Sequence, residues 1–124
     1  MQFASIRIIT SDVDRLAEFY ERVTGVAPLR PAPIFAQFDT DGGTIAIASS
    51  QTVAMLGEAA PQPASNASVI VEFLVDDVDT EFERLRSGLT DVVLEPTTMP
   101  WGNRSVMFRD PDGNLVNLFT RPAA

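Results

Sequence analysis

The chain has 124 residues, and its formal net charge of −8 at pH 7 argues against a nucleic-acid partner, which requires a basic surface. It contains no His and no Cys, which excludes disulfides, thiolate nucleophiles and the commonest general base and metal ligand of proteins. No apolar run approaches the roughly 20 residues of a membrane helix and no signal peptide is recognisable, so we expect a cytoplasmic protein without a membrane partner.

The first half of the chain predicts a strand, a helix and a β-meander. Residues 3–10 alternate loosely and are rich in Ile, which favours a strand. Asp12 is placed to cap a helix, and Gly25 is placed to end it. The apolar residues of this helix recur at helical spacing: Val13, Leu16, Ala17, Tyr20 and Val23. A loop with three prolines follows, and residues 34–39 and 44–49 then predict the two strands of a hairpin.

A segment rich in Ala, Pro, Gln and Ser joins the two halves of the chain at residues 51–68. Its composition predicts an exposed loop, with a short strand or turn near residues 53–56. Because neither half is large enough to bury much core alone, we interpret the segment as a linker inside one domain that spans residues 1–124.

The second half repeats the order of the first. Its predicted elements are a strand at 69–75, a helix from Asp77 to Gly88, a short strand at 92–94, a loop at 96–103, and strands at 104–108 and 115–120. The apolar stripe of the helix consists of Val78, Phe82, Leu85 and Leu89.

Two pairs of matching stretches indicate an internal repeat. Asp12-Val13-Asp14 recurs as Asp77-Val78-Asp79, and the turn at 110–113, Asp-Pro-Asp-Gly, has a fainter counterpart in Asp41-Gly42. In the later turn, Pro presets φ and Gly113 is expected to take a positive φ. The sequence therefore predicts an α+β fold of two βαβββ copies, residues 1–50 and 69–124, with mostly antiparallel sheets and helices on one side.

These motifs resemble those of the vicinal oxygen chelate superfamily, which includes glyoxalase I, extradiol dioxygenases, fosfomycin-resistance enzymes and bleomycin-resistance proteins. The resemblance covers nearly the whole chain. Its carriers are residues 11–14 leading into Phe19-Tyr20 and Gly25, residues 75–79, and the stretch Phe-Arg-Asp-Pro-Asp-Gly-Asn-Leu at 108–115. It implies tandem repeats whose curved sheet wraps a central ligand-binding cup.

Metal-using members of that superfamily carry ligands at four related positions, which fall here on Ser5, Ala46, Ile70 and Asn117. The superfamily typically has His or a carboxylate at these positions. One hydroxyl, one amide and two apolar side chains do not make a divalent metal site of useful affinity. We therefore expect neither a metal nor another cofactor.

Alternation along strands extends the predicted cup lining from the metal-ligand positions. If Ser5 faces the cup, so do Arg7 and Ile9, and if Ile70 does, so does Glu72. Two interpretations of Arg7 and Glu72 remain open, because the two residues occupy equivalent positions in the repeat. They form an ion pair that fills the space of the lost metal, or at least one of them contacts a ligand.

The remaining candidates for the cup complete an apolar pocket with a few polar groups, which is typical of small-molecule sites. Alternation from Asn117 adds Leu115 and Phe119. The resemblance implies Asn103, Ser105 and Met107 on the neighbouring strand, and Ile34, Ala36 and Phe38 are the candidates in the first half. Trp101 is placed at the rim, where it either stacks on a planar ligand or packs beneath its own loop. The alternative to an open cup is a collapsed core with no room for a ligand. Arg104 is expected to lie at the surface.

Three functions fit these features. The favoured one is a metal-independent protein that resembles bleomycin-resistance proteins and sequesters a drug-like ligand, cationic or planar. The second is an enzyme of the same fold, a lyase, isomerase or dioxygenase, with either an atypical metal site or Glu72 as the reacting acid or base and Arg7 as its electrostatic partner. The third is a structural module without a ligand. A homodimer is predicted under all three.

Overall fold

The computed structural model describes residues 1–122. It contains the predicted order of one strand, one helix and three strands twice. The chain divides into two units, Met1–Ser65 and Asn66–Ala124. The first unit contains β1 (Ile6–Thr10), α1 (Val13–Thr24), β2 (Leu29–Ala32), β3 (Phe35–Thr40), β4 (Gly43–Ser49) and a 3-10 segment (Ser50–Ala59). The second contains β5 (Ile70–Leu74), α2 (Val78–Leu85), a 3-10 turn (Arg86–Gly88), β6 (Val92–Thr98), β7 (Arg104–Arg109) and β8 (Leu115–Thr120). The predicted α+β fold of tandem βαβββ units is confirmed.

Both α-helices begin where an Asp side chain can satisfy a free backbone N–H. The Asp12 carboxylate accepts from the backbone N–H of Arg15 at 3.0 Å, and the Asp77 carboxylate accepts from that of Thr80 at 3.1 Å. Gly25 ends α1 with φ of 70°, a left-handed conformation that suits glycine. Helix α2 ends at Leu85, earlier than predicted, and the 3-10 turn continues the chain to Gly88. The predicted stripes are buried, except that Leu89 lies beyond the helix and is half-buried.

Each unit has a four-stranded mixed sheet in which the first and last strands lie side by side. The strand orders are β1-β4-β3-β2 and β5-β8-β7-β6. The pairs β1–β4 and β5–β8 are parallel, and the other pairs are antiparallel. This pairing brings a residue near the start of each unit beside one near its end: Arg7 pairs with Ala46, and Glu72 pairs with Asn117.

Helices cover one face of each sheet. In the first unit, α1 packs on β3 and β4, and the fully buried side chains of those strands include Ala36, Phe38 and Ile47. In the second unit, α2 packs on β6, β7 and β8. The fully buried side chains of β7 and β8 are Val106, Phe108, Val116 and Leu118. Removing these apolar side chains from water stabilises the packing of each helix on its sheet, by about 25 cal/mol for each Å² of apolar surface that is buried.

Two predicted loop regions contain strand instead. The proline-rich loop of the first unit includes β2, and β6 runs past Leu94 and through Pro96 to Thr98. Both are edge strands whose pairing with the neighbouring strand shifts register along its length. Proline is compatible with such strands because its missing N–H costs no ladder hydrogen bond at a free edge.

The segment that was predicted to be an exposed linker, residues 51–68, also differs from the prediction. A 3-10 segment replaces the short strand or turn expected near residues 53–56, and the Ser49 side chain caps it by accepting from the Gln51 backbone N–H at 3.1 Å. Val53 is buried in a small core with Ile9 and Ala48. The first part of the linker therefore belongs to the core of the first unit. Within residues 1–122, no helix combines the length and apolar character that crossing a bilayer requires.

Candidate ligand-binding face of the second sheet

One face of the second sheet carries two of the predicted site residues, Glu72 and Asn117, side by side. Register places Glu72 of β5 beside Asn117 of β8, and Asn117 beside Met107 of β7. Since directly paired residues point to the same side of a sheet, the adjacent rows extend this surface. We call it the Glu72 face, and its members on β5, β7 and β8 are Ile70, Glu72, Leu74, Ser105, Met107, Arg109, Leu115, Asn117 and Phe119. Its opposite side carries the fully buried side chains under α2, so the predicted orientation of these strands is correct.

A hydrogen bond between Glu72 and Asn117 lies at the centre of this face. The Asn117 Nδ2 donates to Glu72 Oε2 at 2.9 Å. Asn117 is only 5% exposed, whereas Glu72 is exposed. The amide oxygen, Oδ1, is buried and has no hydrogen-bond partner among the described residues. A buried acceptor without a partner costs about 1–3 kcal/mol, so this oxygen marks a place where a donor is missing.

Apolar side chains surround the polar pair. Ile70 and Leu74 lie on either side of Glu72 along β5 and are 44% and 56% exposed. Met107, Leu115 and Phe119 are half-buried on the neighbouring strands. A carboxylate and an amide oxygen inside an accessible apolar frame form a surface with few, well-placed polar groups, as small-molecule sites have.

The donor set does not fit a divalent metal. Among the four related positions, Asn117 supplies a neutral amide oxygen, whereas Ile70 on β5 is apolar and supplies none. In the first unit, Ala46 is buried and apolar, and Ser5 is exposed just before β1. Across residues 1–122, no three Asp or Glu side chains come together in a way that could hold a metal ion.

The corresponding face of the first sheet is partly covered. Arg7 of β1 is exposed and pairs with Ala46, which in turn pairs with Gln37 of β3. Ile9 was expected beside Arg7 in an open cup, but it is buried against Val53 of the 3-10 segment. The linker thus fills this end of the face. Arg7 and Glu72 lie in different units, and the ion pair between them stays a prediction.

The predicted orientation of β3 was wrong. Phe38 pairs with Ile45, whereas Gln37 pairs with Ala46, so Phe38 lies on the opposite face from the metal-ligand position. It is fully buried with Ala36 on the side that α1 covers. Alternation gave no guide here, because β3 carries apolar residues on both faces near its start. Phe38 is therefore a core residue, and no ligand role is retained for it or for Ala36.

Trp101 lies in the turn between β6 and β7 and is 66% exposed. The turn is closed by backbone hydrogen bonds from Met99 to Asn103 at 2.7 Å and from Gly102 to Met99 at 2.9 Å. An indole with two-thirds of its surface accessible does not pack beneath the loop, which leaves it available for stacking.

A sequence model of the Glyoxalase/Bleomycin resistance protein/Dioxygenase superfamily matches residues 2–118. The chain belongs to this superfamily. Its relatives include YraH of Bacillus subtilis (strain 168), an uncharacterized protein that is 27% identical over 96% of this chain and 98% of YraH.

Solved structures of the superfamily fold agree with this membership. A protein of unknown function from Agrobacterium tumefaciens str. C58 matches with a TM-score of 0.82 and 23% identity over 97% of this chain and 94% of that one. A glyoxalase-related enzyme from Fulvimarina pelagi matches with a TM-score of 0.81 and 22% identity over 97% and 88%. At this level of identity, the likeness shows the fold alone.

The stretch that carried the resemblance to the superfamily has a role that sequence reasoning missed. Asp110 is buried, and its Oδ1 accepts the backbone N–H groups of Asp112 and Asn114, both at 2.9 Å. Its Oδ2 accepts from Asn114 Nδ2 at 2.7 Å. Asn114 Oδ1 accepts from Asn66 Nδ2 at 3.1 Å, and Asn66 also donates to the Val69 carbonyl at 2.9 Å. The turn therefore anchors the residue before β5, which helps to place Glu72 beside Asn117. The buried pair of Asp110 and Asn114 gave no periodic signal, and only the motif itself pointed to it.

Arg104 lies on the helix side of the second sheet, away from the Glu72 face. Its guanidinium donates to both Asp79 oxygens, at 2.7 and 2.8 Å, and to Thr98 at 3.1 Å. The hydrogen bond to Arg104 lowers the pKa of Asp79, and the same bond raises the pKa of Arg104. Arg104 therefore lies at the surface, as predicted from the sequence.

Proposed function

We propose that this protein binds a small drug-like molecule on the Glu72 face without a metal and sequesters it, as bleomycin-resistance proteins do. The observation that carries the proposal is Asn117. At a position where metal-using relatives carry a ligand, this chain has a buried amide that donates to Glu72 and whose oxygen has no partner within residues 1–122. A metal-binding position has thus become a hydrogen-bonding position.

The surroundings of Asn117 support binding of an organic molecule. Ile70, Leu74 and Met107 present aliphatic surface on both sides of the polar pair, which supplies affinity through burial. The exposed Trp101 adds a flat aromatic surface in the same unit, and aromatic stacking favours planar ligands. Sequestration requires only these contacts, since no bond is made or broken.

Metal-free catalysis is the second candidate, and the exposed carboxylate of Glu72 favours it. A carboxylate within reach of a substrate can act as a general base, and the Asn117 amide would hold it in one orientation. The two candidates differ in one observable: a catalyst converts its ligand, whereas a sequestering protein returns it unchanged.

A thermal-shift screen tests the proposal. Planar and cationic aromatic drugs would be added to the wild-type protein and to the Asn117→Leu variant, with Glu18→Gln on α1 as a surface control. A ligand at a hundred times its Kd adds about 2.7 kcal/mol to the unfolding free energy. We expect the Tm of wild type and of Glu18→Gln to rise by several degrees, and that of Asn117→Leu to rise by less.

Recovery of the compound then separates the two candidates. Mass spectrometry of a bound hit after release should show the unchanged compound. A converted compound would favour the enzyme, and equal Tm shifts in wild type and Asn117→Leu would move the site away from the Glu72 face.

A further inference from the structure

We propose that the ligand presents a protonated amine or amidinium group, which Glu72 and Asn117 bind together through the Glu72 carboxylate and Asn117 Oδ1. This inference rests on the proposed binding function and specifies the chemical class of the ligand. It follows from the identity and orientation of the two side chains. It follows also from the hydrogen-bond donors and the positive charge that both of them lack within the second unit.

The orientation of the Asn117 amide is fixed by its partner. A carboxylate only accepts hydrogen bonds, so the amide group that faces Glu72 Oε2 at 2.9 Å must be the donating Nδ2. The opposite edge of the amide is therefore Oδ1, an acceptor. It is buried and unpaired among the described residues, so the group that completes it must be a donor.

The Glu72 carboxylate also has room for a donor. Within residues 66–122, its hydrogen bond with the neutral amide of Asn117 is its only hydrogen bond or ion pair. A carboxylate accepts about four hydrogen bonds, and its charge is not balanced by an arginine of the second unit. Glu72 and Asn117 Oδ1 thus form two neighbouring acceptors, one of them anionic.

A single cationic group matches this arrangement. An ammonium group has three donors and an amidinium or guanidinium group has a planar fork of donors, so either can reach both acceptors at once. A neutral hydroxyl has one donor and can satisfy only one of them. An anionic group would meet a like charge at Glu72, and the chain's net charge of −8 adds to that repulsion.

The apolar side chains around Glu72 indicate the chemical character of the remainder of the ligand. Ile70 and Leu74 are accessible on both sides of Glu72, so the carbon skeleton attached to the cation would cover them. Removing water from this frame strengthens the attraction between the cation and the carboxylate. The geometry therefore points to an amphiphilic amine, with a cationic head at Asn117 and an aromatic or aliphatic body along β5.

Two matched probes test this inference: 1-naphthylmethylammonium and the neutral 1-naphthylmethanol, titrated at pH 7 into 15N-labelled protein and followed by NMR. We expect the ammonium probe to bind at least about tenfold more tightly, the gain of a charge-assisted hydrogen bond. The side-chain NH2 signal of Asn117 should shift with it. Glu72→Gln should weaken the ammonium probe by a similar factor and leave the alcohol nearly unchanged, whereas Glu18→Gln should change neither.

The outcomes separate this inference from the function on which it rests. Equal affinities for the two probes, or an ammonium affinity that Glu72→Gln does not change, would overturn the cationic class while leaving binding on the Glu72 face intact. If neither probe shifts signals from β5, β7 or β8 at millimolar concentration, both the binding face and the inference fail.

Discussion

In the described part of the chain, the side-chain amide of Asn117 has a hydrogen-bond partner for its NH2 group, which donates to Glu72, and none for its oxygen. Removal of the carboxylate would leave the buried NH2 without its acceptor as well. At the scale of single residues, Glu72 is therefore a structural partner of Asn117 in addition to its proposed contact with a ligand.

Glu72→Ala should lower the free energy of unfolding by about 1–3 kcal/mol, the range for a buried polar group that loses its partner. Urea denaturation measures the change. Glu18→Ala, which removes an exposed carboxylate from α1, should stay within about 0.5 kcal/mol of wild type. An unchanged midpoint for Glu72→Ala would contradict the structural role of the hydrogen bond.

Asp110 is the second residue whose side chain we expect to contribute strongly to the free energy of unfolding. Its carboxylate accepts three hydrogen bonds inside the turn, so Asp110→Ala should cost about 2–4 kcal/mol in unfolding free energy. Asp41, in the equivalent turn of the first unit, is exposed, and Asp41→Ala should cost less than about 0.5 kcal/mol. Similar losses for the two variants would show that the buried network adds nothing to the turn.

At the scale of elements, the first turn of α2 is joined to β7 by the ion pair of Asp79 and Arg104. The bond to Arg104 lowers the folded-state pKa of Asp79 below its unfolded value of about 3.9. The pair therefore adds stability above the unfolded pKa, and this contribution is lost as the pH falls through the folded pKa.

Asp79→Asn should accordingly reduce stability more at pH 7 than at pH 2.5, which lies below the pKa of Asp in the unfolded chain. The difference will be modest because the pair lies at the surface. Urea midpoints of wild type and variant at the two pH values measure it. An equal loss at both pH values would assign the effect of the substitution to packing rather than to charge.

The elements also show how far sequence reasoning reached. Both α-helices were predicted because an Asp cap precedes a continuous apolar stripe, and the last hairpin because its turn residues are distinctive. Edge strand β2 and the part of β6 beyond Leu94 were missed because proline normally breaks strands. The orientation of β3 was missed because apolar residues lie on both of its faces, which removes the alternation that assigns a side chain to one face.

The candidate site likewise contains features that the sequence predicted and features that it did not. Glu72, Ser105, Met107 and Asn117 were placed on one face because the resemblance to the superfamily fixed Asn117 and Ile70 as starting positions and suggested Ser105 and Met107, and alternation from Ile70 added Glu72. The hydrogen bond between Glu72 and Asn117 was not predicted, because it depends on which residues pair across two parallel strands. Strand pairing between distant parts of a sequence is decided by the whole fold and not by local pattern.

At the scale of the whole molecule, the chain has the fold of the Glyoxalase/Bleomycin resistance protein/Dioxygenase superfamily without the charged groups that hold a metal in its metal-using members. Each unit buries its own layer of apolar side chains between helix and sheet. The homodimer and the cytoplasmic location stay predictions from the sequence.

Ligand binding before and after chelation tests the central claim most directly. The protein would be purified with Zn²⁺, Mn²⁺ and Fe²⁺ present, analysed for metal, and titrated with 1-naphthylmethylammonium before and after treatment with EDTA. We predict no stoichiometric metal and the same Kd in both titrations. One retained equivalent of metal per chain, together with loss of binding after EDTA, would contradict the account.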